Sequence, residues 1–219
     1  MQKQIEFPVP GQMNLINQIK GNQMDISNIL QFQQLRQNNA SFASYLLNHR
    51  HYMNESLSMD KLSWFIIDSV QRDFKLDCII MATSLLRFSD VINLNLHQFF
   101  SGIDQNLVQN KTGKNILVPF AYKIPETSIN YYVGNVYPFF FSYNKISYAI
   151  NQVIPYPVKM IMRGHNSLTH IFRYLRATHL FMLKKDSKLI ASVLGHSSDE
   201  AQQYYILNEL QEYFNQLNL

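Results

Sequence analysis

Apolar residues recur at helical spacing along most of this chain and at strand spacing in one place. Leu62, Phe65, Ile66 and Val70 lie three to four residues apart, which puts them on one face of a helix with 3.6 residues per turn. Residues 79–86, 89–96, 170–183, 187–194 and 201–217 carry the same signature, and Gly195 supplies the residue type that ends a helix in a left-handed turn. The exception is 107–120, LVQNKTGKNILVPF. There β-branched residues flank Thr112-Gly113, the pattern of two short strands joined by a turn. A turn at Asn144-Lys145, followed by a helix, is read from the aromatic stretch VYPFFFSYNKISYAINQVI. The pattern predicts a mainly α fold with a small antiparallel β-sheet, in the α+β class.

The N-terminal texture differs. Residues 1–50 hold nine Gln and seven Asn, with Pro8, Pro10, Gly11 and Gly21 interrupting any early element. An irregular arm is expected there, then a helix from an Asp25 or Ser27 cap carrying Ile26, Ile29, Leu30 and Leu35, then a second helical piece over 42–49. A boundary near residue 51 separates this short helical arm, 1–50, from a main domain, 51–219. At 219 residues and 47% hydrophobic the chain can bury one full core but hardly two. No apolar run approaches the roughly 20 residues a membrane helix needs, and the first residues, MQKQIEFPVPG, lack the order of a signal peptide. A soluble cytoplasmic protein is expected. Cys78, the single cysteine, sits in the apolar run LDCIIMA and reads as a buried inert thiol.

Charge is informative once divided. All 19 Lys and Arg fall at or before Lys188, against 11 acidic residues in 1–196, so that part carries +8, while Asp199, Glu200, Glu209 and Glu212 give the tail −4. A basic body suits a polyanionic partner and an acidic tail suits a protein surface.

Four patches concentrate residues of chemical interest: LLRFSDVINL around Arg87, QNKTGKNILVP around Lys111, HIFRYLRATHL with His170 and Arg173, and LGHSSDEAQQYY with His196 and Tyr205. Lys111 follows Arg87 by 24 residues, Arg173 follows His170 by three, His196 follows His170 by 26, and Tyr205 follows His196 by nine. Taken together these resemble the catalytic domain of tyrosine recombinases of the phage-integrase and Xer type. That family's motifs run as an L-R-x-S-E/D helix, a K-T-G-K hairpin, H-x-x-R-H-x-x-A-T-H-L, and L-G-H-S-S with a tyrosine nine residues after its histidine.

The resemblance implies the recombinase catalytic fold and a chemistry that explains these residue types. Attack on a phosphodiester passes through a pentacoordinate state with added charge on the equatorial oxygens, so fixed cations must surround it. Arg87 and Arg173 would clamp the nonbridging oxygens with their planar forks of donors, and His196 would add a hydrogen bond. Lys111 corresponds to the lysine that protonates the departing 5′ oxygen. His170 corresponds to the residue that helps remove the tyrosine proton, a necessary step because a free phenol has a pKa near ~10. Tyr205 would become joined to a 3′ phosphate, conserving the energy of the broken bond for rejoining without ATP. Neither a cofactor nor a metal is implied.

Blander readings stand beside these. Arg87 pairs naturally with Asp90 at i+3, which also suits a bracing acidic residue. Lys114 neighbours Lys111, Arg176 shares a helical face with Arg173, and Tyr204 adjoins Tyr205; register with the motifs selects Lys111, Arg173 and Tyr205. His196 after Gly195 suits a helix C-terminus. His97, His165 and His179 read as structural or backbone-contacting. Tyr174 and Leu85 depart from the family pattern, which has His and Gly in their places, and residues 1–50 are too few for the family's separate N-terminal domain, leaving a reduced arm or a partner recombinase to close the clamp. Duplex DNA and a homo-tetramer on paired sites are the implied partners, with phage, plasmid or other mobile-element origin and nucleoid association. Ile206, Leu210, Tyr213, Phe214 and Leu217 form an apolar stripe that either packs on its own core or passes to a neighbouring protomer. A type IB topoisomerase and a DNA-binding regulator without turnover are the alternative functions.

Overall fold

The computed structural model describes residues 26–53, 59–118, 121–137, 141–163, 170–196 and 205–217. Within them the protein is mainly helical, with one two-stranded antiparallel sheet. Among the described residues no helix is long and apolar enough to cross a membrane.

Helix α1 (Ile26–Asn48) is continuous over 23 residues where two pieces were expected. Its Asn39, Phe42, Ala43 and Leu46 are buried, a stripe at helical spacing that packs on α3 (Lys75–Ser84) and α5 (Glu126–Val133). Phe42 meets Phe100 edge-on at 5.0 Å and stacks on Tyr132 at 5.4 Å. The described part of the arm therefore shares one hydrophobic core with the residues beyond 51. Helix α2 (Lys61–Ser69) starts at Asp60, whose Oδ1 accepts the Ser63 amide N–H at 2.7 Å. It buries Leu62 and Ile66 but leaves Phe65 51% exposed, against the spacing. In α3 every residue from Leu76 to Ser84 is buried, Cys78 included, and burial pushes that thiol's pKa up.

The helix expected over 89–96 is instead a 3-10 turn at Val91–Asn93 followed by α4 (Leu96–Ser101). The bonds from Asn93 N–H to the Asp90 carbonyl and from Leu94 N–H to that of Val91 are three-residue closures. Asn95 then caps α4 by accepting the Gln98 amide at 3.0 Å. Strands β1 (Gln105–Val108) and β2 (Asn115–Val118) pair antiparallel in the register Gln105↔Val118, with Gly113 at φ +65 in the turn.

Helix α6 (Tyr143–Val153) begins after the extended Ser142, so Asn144-Lys145 lies in its first turn rather than in a turn before it. Amide N–H groups there lack helical partners in any case, so Asn costs little. The apolar spacing does not reveal the helices α5 and α7 (Tyr156–Ile161). Helices α8 (Ile171–Met182) and α9 (Ser187–Leu194) fall where expected, with Gly195 at φ +69 ending α9. The last helix does not run unbroken: Tyr205 is helical, Ile206 and Leu207 are not, and α10 (Asn208–Gln216) follows. Residues 201–204 lie outside the described residues.

Of the apolar tail stripe, Leu210 and Phe214 are fully buried against α8 and α7. Removing one such side chain costs about 2–5 kcal/mol. Truncation after Leu207 is therefore expected to lower the melting temperature by many degrees in a thermal unfolding scan; an unchanged transition would show that α10 contributes nothing to this core.

Candidate active site

Leu85 redirects the chain at the end of α3. It is a non-glycine residue at φ +56 with a buried side chain, and two residues later Arg87 enters the interior with 9% exposure. Arg87 Nη2 lies 3.3 Å from His196 Nε2, and Nη1 lies 3.9 Å from Asp90 Oδ2. Asp90 is itself buried, and its Oδ1 accepts the Asn110 amide N–H at 2.9 Å. One carboxylate thus connects Arg87 to the hairpin turn.

The turn has a second anchor on α9. Gln109 Nε2 donates to the Leu194 carbonyl at 3.2 Å, and Thr112 Oγ1 donates to Gln109 Oε1 at 2.7 Å. A Cβ on Gly195 would run into the Gln109 and Ile116 side chains, so glycine is needed for the approach of the hairpin as well as for its positive φ. Lys111 stands exposed in this turn. Its charge reaches His170.

Arg173, 1% exposed, ties three elements together. Its Nη1 donates to the Leu85 carbonyl at the end of α3, and its Nη2 donates to the Leu194 carbonyl at 2.8 Å. Burial lowers the guanidinium pKa, with Tyr205 opposing the shift. The guanidinium carbon lies 5.0 Å from the centroid of the Tyr205 ring. Tyr205 is 6% exposed, and its ring also lies 5.0 Å from that of His196 and 5.1 Å from that of Tyr174. Thr178 Oγ1 donates to the Tyr205 carbonyl at 3.2 Å and accepts the Leu207 amide N–H at 3.3 Å.

His170 occupies the N-cap of α8. Its pKa is pushed down to about 4, first by burial and then by the charges of Arg173, Arg87, Lys111 and His196. At neutral pH the imidazole is uncharged. In a histidine NMR titration of the free protein, His170 is expected to protonate near pH 4, and Lys111→Ala is expected to move that midpoint upward because one repelling charge is gone. A midpoint at the ordinary value of about 6.5 would contradict this enclosure.

Arg87, His196, Tyr205 and Arg173 thus form one chain of contacts, and the charges of Arg173, Arg87, Lys111 and His196 reach His170. Sequence reasoning did not pick out Gln109, Thr178 or the Leu194 carbonyl, which hold them there. Thr178 does lie in the A-T-H-L part of the motif that selects Arg173, and it shares a stripe with His170 and Tyr174 at intervals of four residues. Arg176, by contrast, is buried on another side, where Asp60 and Tyr122 are its electrostatic neighbours; burial lowers its pKa to about 10. His179 is lowered by burial and faces Asp60 and Arg176, and His97 Nε2 lies 3.1 Å from Asn130 Oδ1. His165 and Tyr204 lie outside the described residues.

Arg87 Nη1 and Arg173 Nε are closed off from solvent without a hydrogen-bond partner among the described residues. Desolvated, unmatched cationic donors are costly; the three nitrogens of the buried Arg176 are in the same state on the other side of α8. Among the described residues no group of three His, Cys, Asp or Glu side chains is placed to hold a metal ion. Comparison with known protein families, curated proteins and solved structures finds no match for the chain.

Proposed function

We propose that this protein is a site-specific DNA recombinase of the tyrosine type, cleaving and rejoining duplex DNA through a 3′-phosphotyrosyl intermediate. The observation that carries the reading is the seating of a buried tyrosine ring against Arg173 and His196, with His196 in turn on Arg87. A phenol amid cations with unmatched donors suits attack on an anionic ester.

In the proposed reaction the Tyr205 Oη bonds to phosphorus while the bond from phosphorus to the 5′ oxygen breaks. His170 takes the phenolic proton, and Lys111 supplies one to the departing oxygen. Arg87, Arg173 and His196 hold the nonbridging oxygens, where charge grows in the transition state. A 5′ hydroxyl from a second duplex then attacks the phosphotyrosine, Tyr205 leaves, and the strands are exchanged with no net loss of bonds. Integration, excision, inversion and resolution all use this step, on paired sites held by a tetramer or by a partner recombinase.

A further feature suits duplex DNA. Asn144, Tyr148 and Gln152 line one exposed face of α6, with Lys145 beside them, and Tyr143 at its start meets Phe88, the neighbour of Arg87, edge-on at 5.7 Å. Amides and a lysine are among the side chains that pair with base edges in a major groove.

The test is incubation with nicked duplexes drawn from DNA flanking its gene, followed by a detergent gel. A covalent band, with phosphate mapped to Tyr205 by mass spectrometry, is expected. DNA binding without a band would favour a regulator, and relaxation of supercoiled plasmid by a monomer would favour a type IB topoisomerase.

A further inference from the structure

We infer that Tyr174 and Thr178 are positioning residues for Tyr205, one holding its ring and the other its backbone, so that α8 sets both the acceptor of the proton and the place of the nucleophile. This rests on the recombinase reading for its catalytic consequence and on geometry alone for its structural one.

His170, Tyr174 and Thr178 are spaced by four residues and Arg173 lies beside them, so they form one stripe along α8. Thr178 is fully buried. Its single hydroxyl bonds to both sides of the helix break, donating to the Tyr205 carbonyl at 3.2 Å and accepting the Leu207 N–H at 3.3 Å. That places two backbone groups, released where the helix is interrupted, on one atom of the helix that carries Arg173. The break itself is thereby matched: a helix continuing through 206 and 207 would use those groups internally.

Tyr174 acts at the other end of the side chain. Its ring is 8% exposed and lies 5.1 Å from that of Tyr205 at an interplanar angle of 34°, while Arg173 and His196 each lie 5.0 Å from the same ring. Three side chains therefore limit the swing of the Tyr205 ring about its χ angles. In-line attack demands such restriction, because a nucleophile misplaced by about 1 Å can lose about 100-fold in rate.

Two pairs of variants of the full-length protein separate positioning from packing. Thr178→Val keeps the shape and removes the hydroxyl, whereas Thr178→Ser restores the hydroxyl and removes a methyl. Tyr174→Leu removes the ring, whereas Tyr174→Phe keeps it. At saturating nicked DNA, Thr178→Val and Tyr174→Leu are expected to form the covalent adduct about 10- to 100-fold more slowly, with DNA affinity unchanged, and the Ser and Phe variants to recover most of that rate. Wild-type rates in Val and Leu, or a Ser variant as slow as Val, would overturn the inference. A readout free of catalysis accompanies these: the ring resonances of Tyr205, displaced by the Tyr174 and His196 ring currents, are expected to move in Thr178→Val, which keeps both rings, but not in Thr178→Ser, and the NOE between the Tyr205 and His196 rings is expected to weaken in Tyr174→Leu but not in Tyr174→Phe. If wild-type protein forms no adduct, the recombinase reading fails while this NMR comparison still decides the positioning. Unmoved Tyr205 resonances in Thr178→Val, with an unchanged NOE between the Tyr205 and His196 rings in Tyr174→Leu, would overturn it.

Discussion

Tyr205→Phe is expected to form no detergent-resistant DNA adduct at any incubation time, while binding duplex DNA within about two-fold of wild type, because the variant lacks only the attacking oxygen. The ring that Arg173, Tyr174 and His196 surround remains in place, so no loss of folding is anticipated. Tyr204→Phe is expected to keep the adduct; the opposite pair of results would move the nucleophile by one position. A mixture adds a sharper constraint. Tyr205 sits on the cation cluster of its own chain, so combining Tyr205→Phe with Arg87→Ala is not expected to regenerate adduct. Recovery in the mixture would mean that a neighbour supplies the tyrosine, contrary to the seating described above.

The second large effect concerns the clamp. Arg87→Ala is expected to slow single-turnover cleavage by about 100-fold or more, the range for loss of a preorganised donor to a developing oxyanion. Arg173→Ala is expected to be at least as slow and also less stable. Arg173 donates to the Leu85 and Leu194 carbonyls; Gln109 still serves the Leu194 carbonyl in the variant, but a buried Leu85 carbonyl left unpaired costs about 1–3 kcal/mol. Arg87 has no such backbone duties among the described residues, its contacts being His196 and Asp90. The pair therefore separates chemistry from folding when cleavage is measured well below both melting temperatures. Unchanged cleavage in both variants would remove the arginines from the reaction.

Much of the helical frame was legible because apolar spacing reports which face is buried. Residues 187–194 and the strands around Thr112-Gly113 are examples, and Gly195 ended its helix as its type suggests. Spacing failed where local polar bonds set the backbone. The 89–96 segment reads as a helix, yet short-range carbonyl closures and the Asn95 cap divide it, and the helix read over 201–217 is broken at Ile206 and Leu207, where the Thr178 hydroxyl bonds to backbone groups on both sides. Phe65 fits a buried stripe and is exposed, since periodicity cannot tell a core face from its margin.

The candidate site was legible at the level of residue types and intervals. Its supports were less so, because a backbone carbonyl such as that of Leu194, shared by Gln109 and Arg173, has no sequence signature. Arg176 could be set apart from Arg173 only through motif register. The fold supplies the physical difference: one guanidinium reaches Tyr205, and the other has Asp60 and Tyr122 as its electrostatic neighbours.

Leu85 constrains how this chain can change by single substitutions. A leucine held at φ +56 bears a conformational penalty of roughly 1–2 kcal/mol that glycine would escape. Its side chain is 2% exposed, and emptying such a position costs about 2–5 kcal/mol, as for Leu→Ala in a core. Packing wins, so an exchange to glycine is a step downhill in stability although it relieves the backbone. The reverse exchange is equally barred wherever the surrounding core has already closed over a glycine. Residue 85 and its packing neighbours are thus mutually entrenched: a lineage that places a leucine before Leu86-Arg87 keeps it unless several core residues change with it.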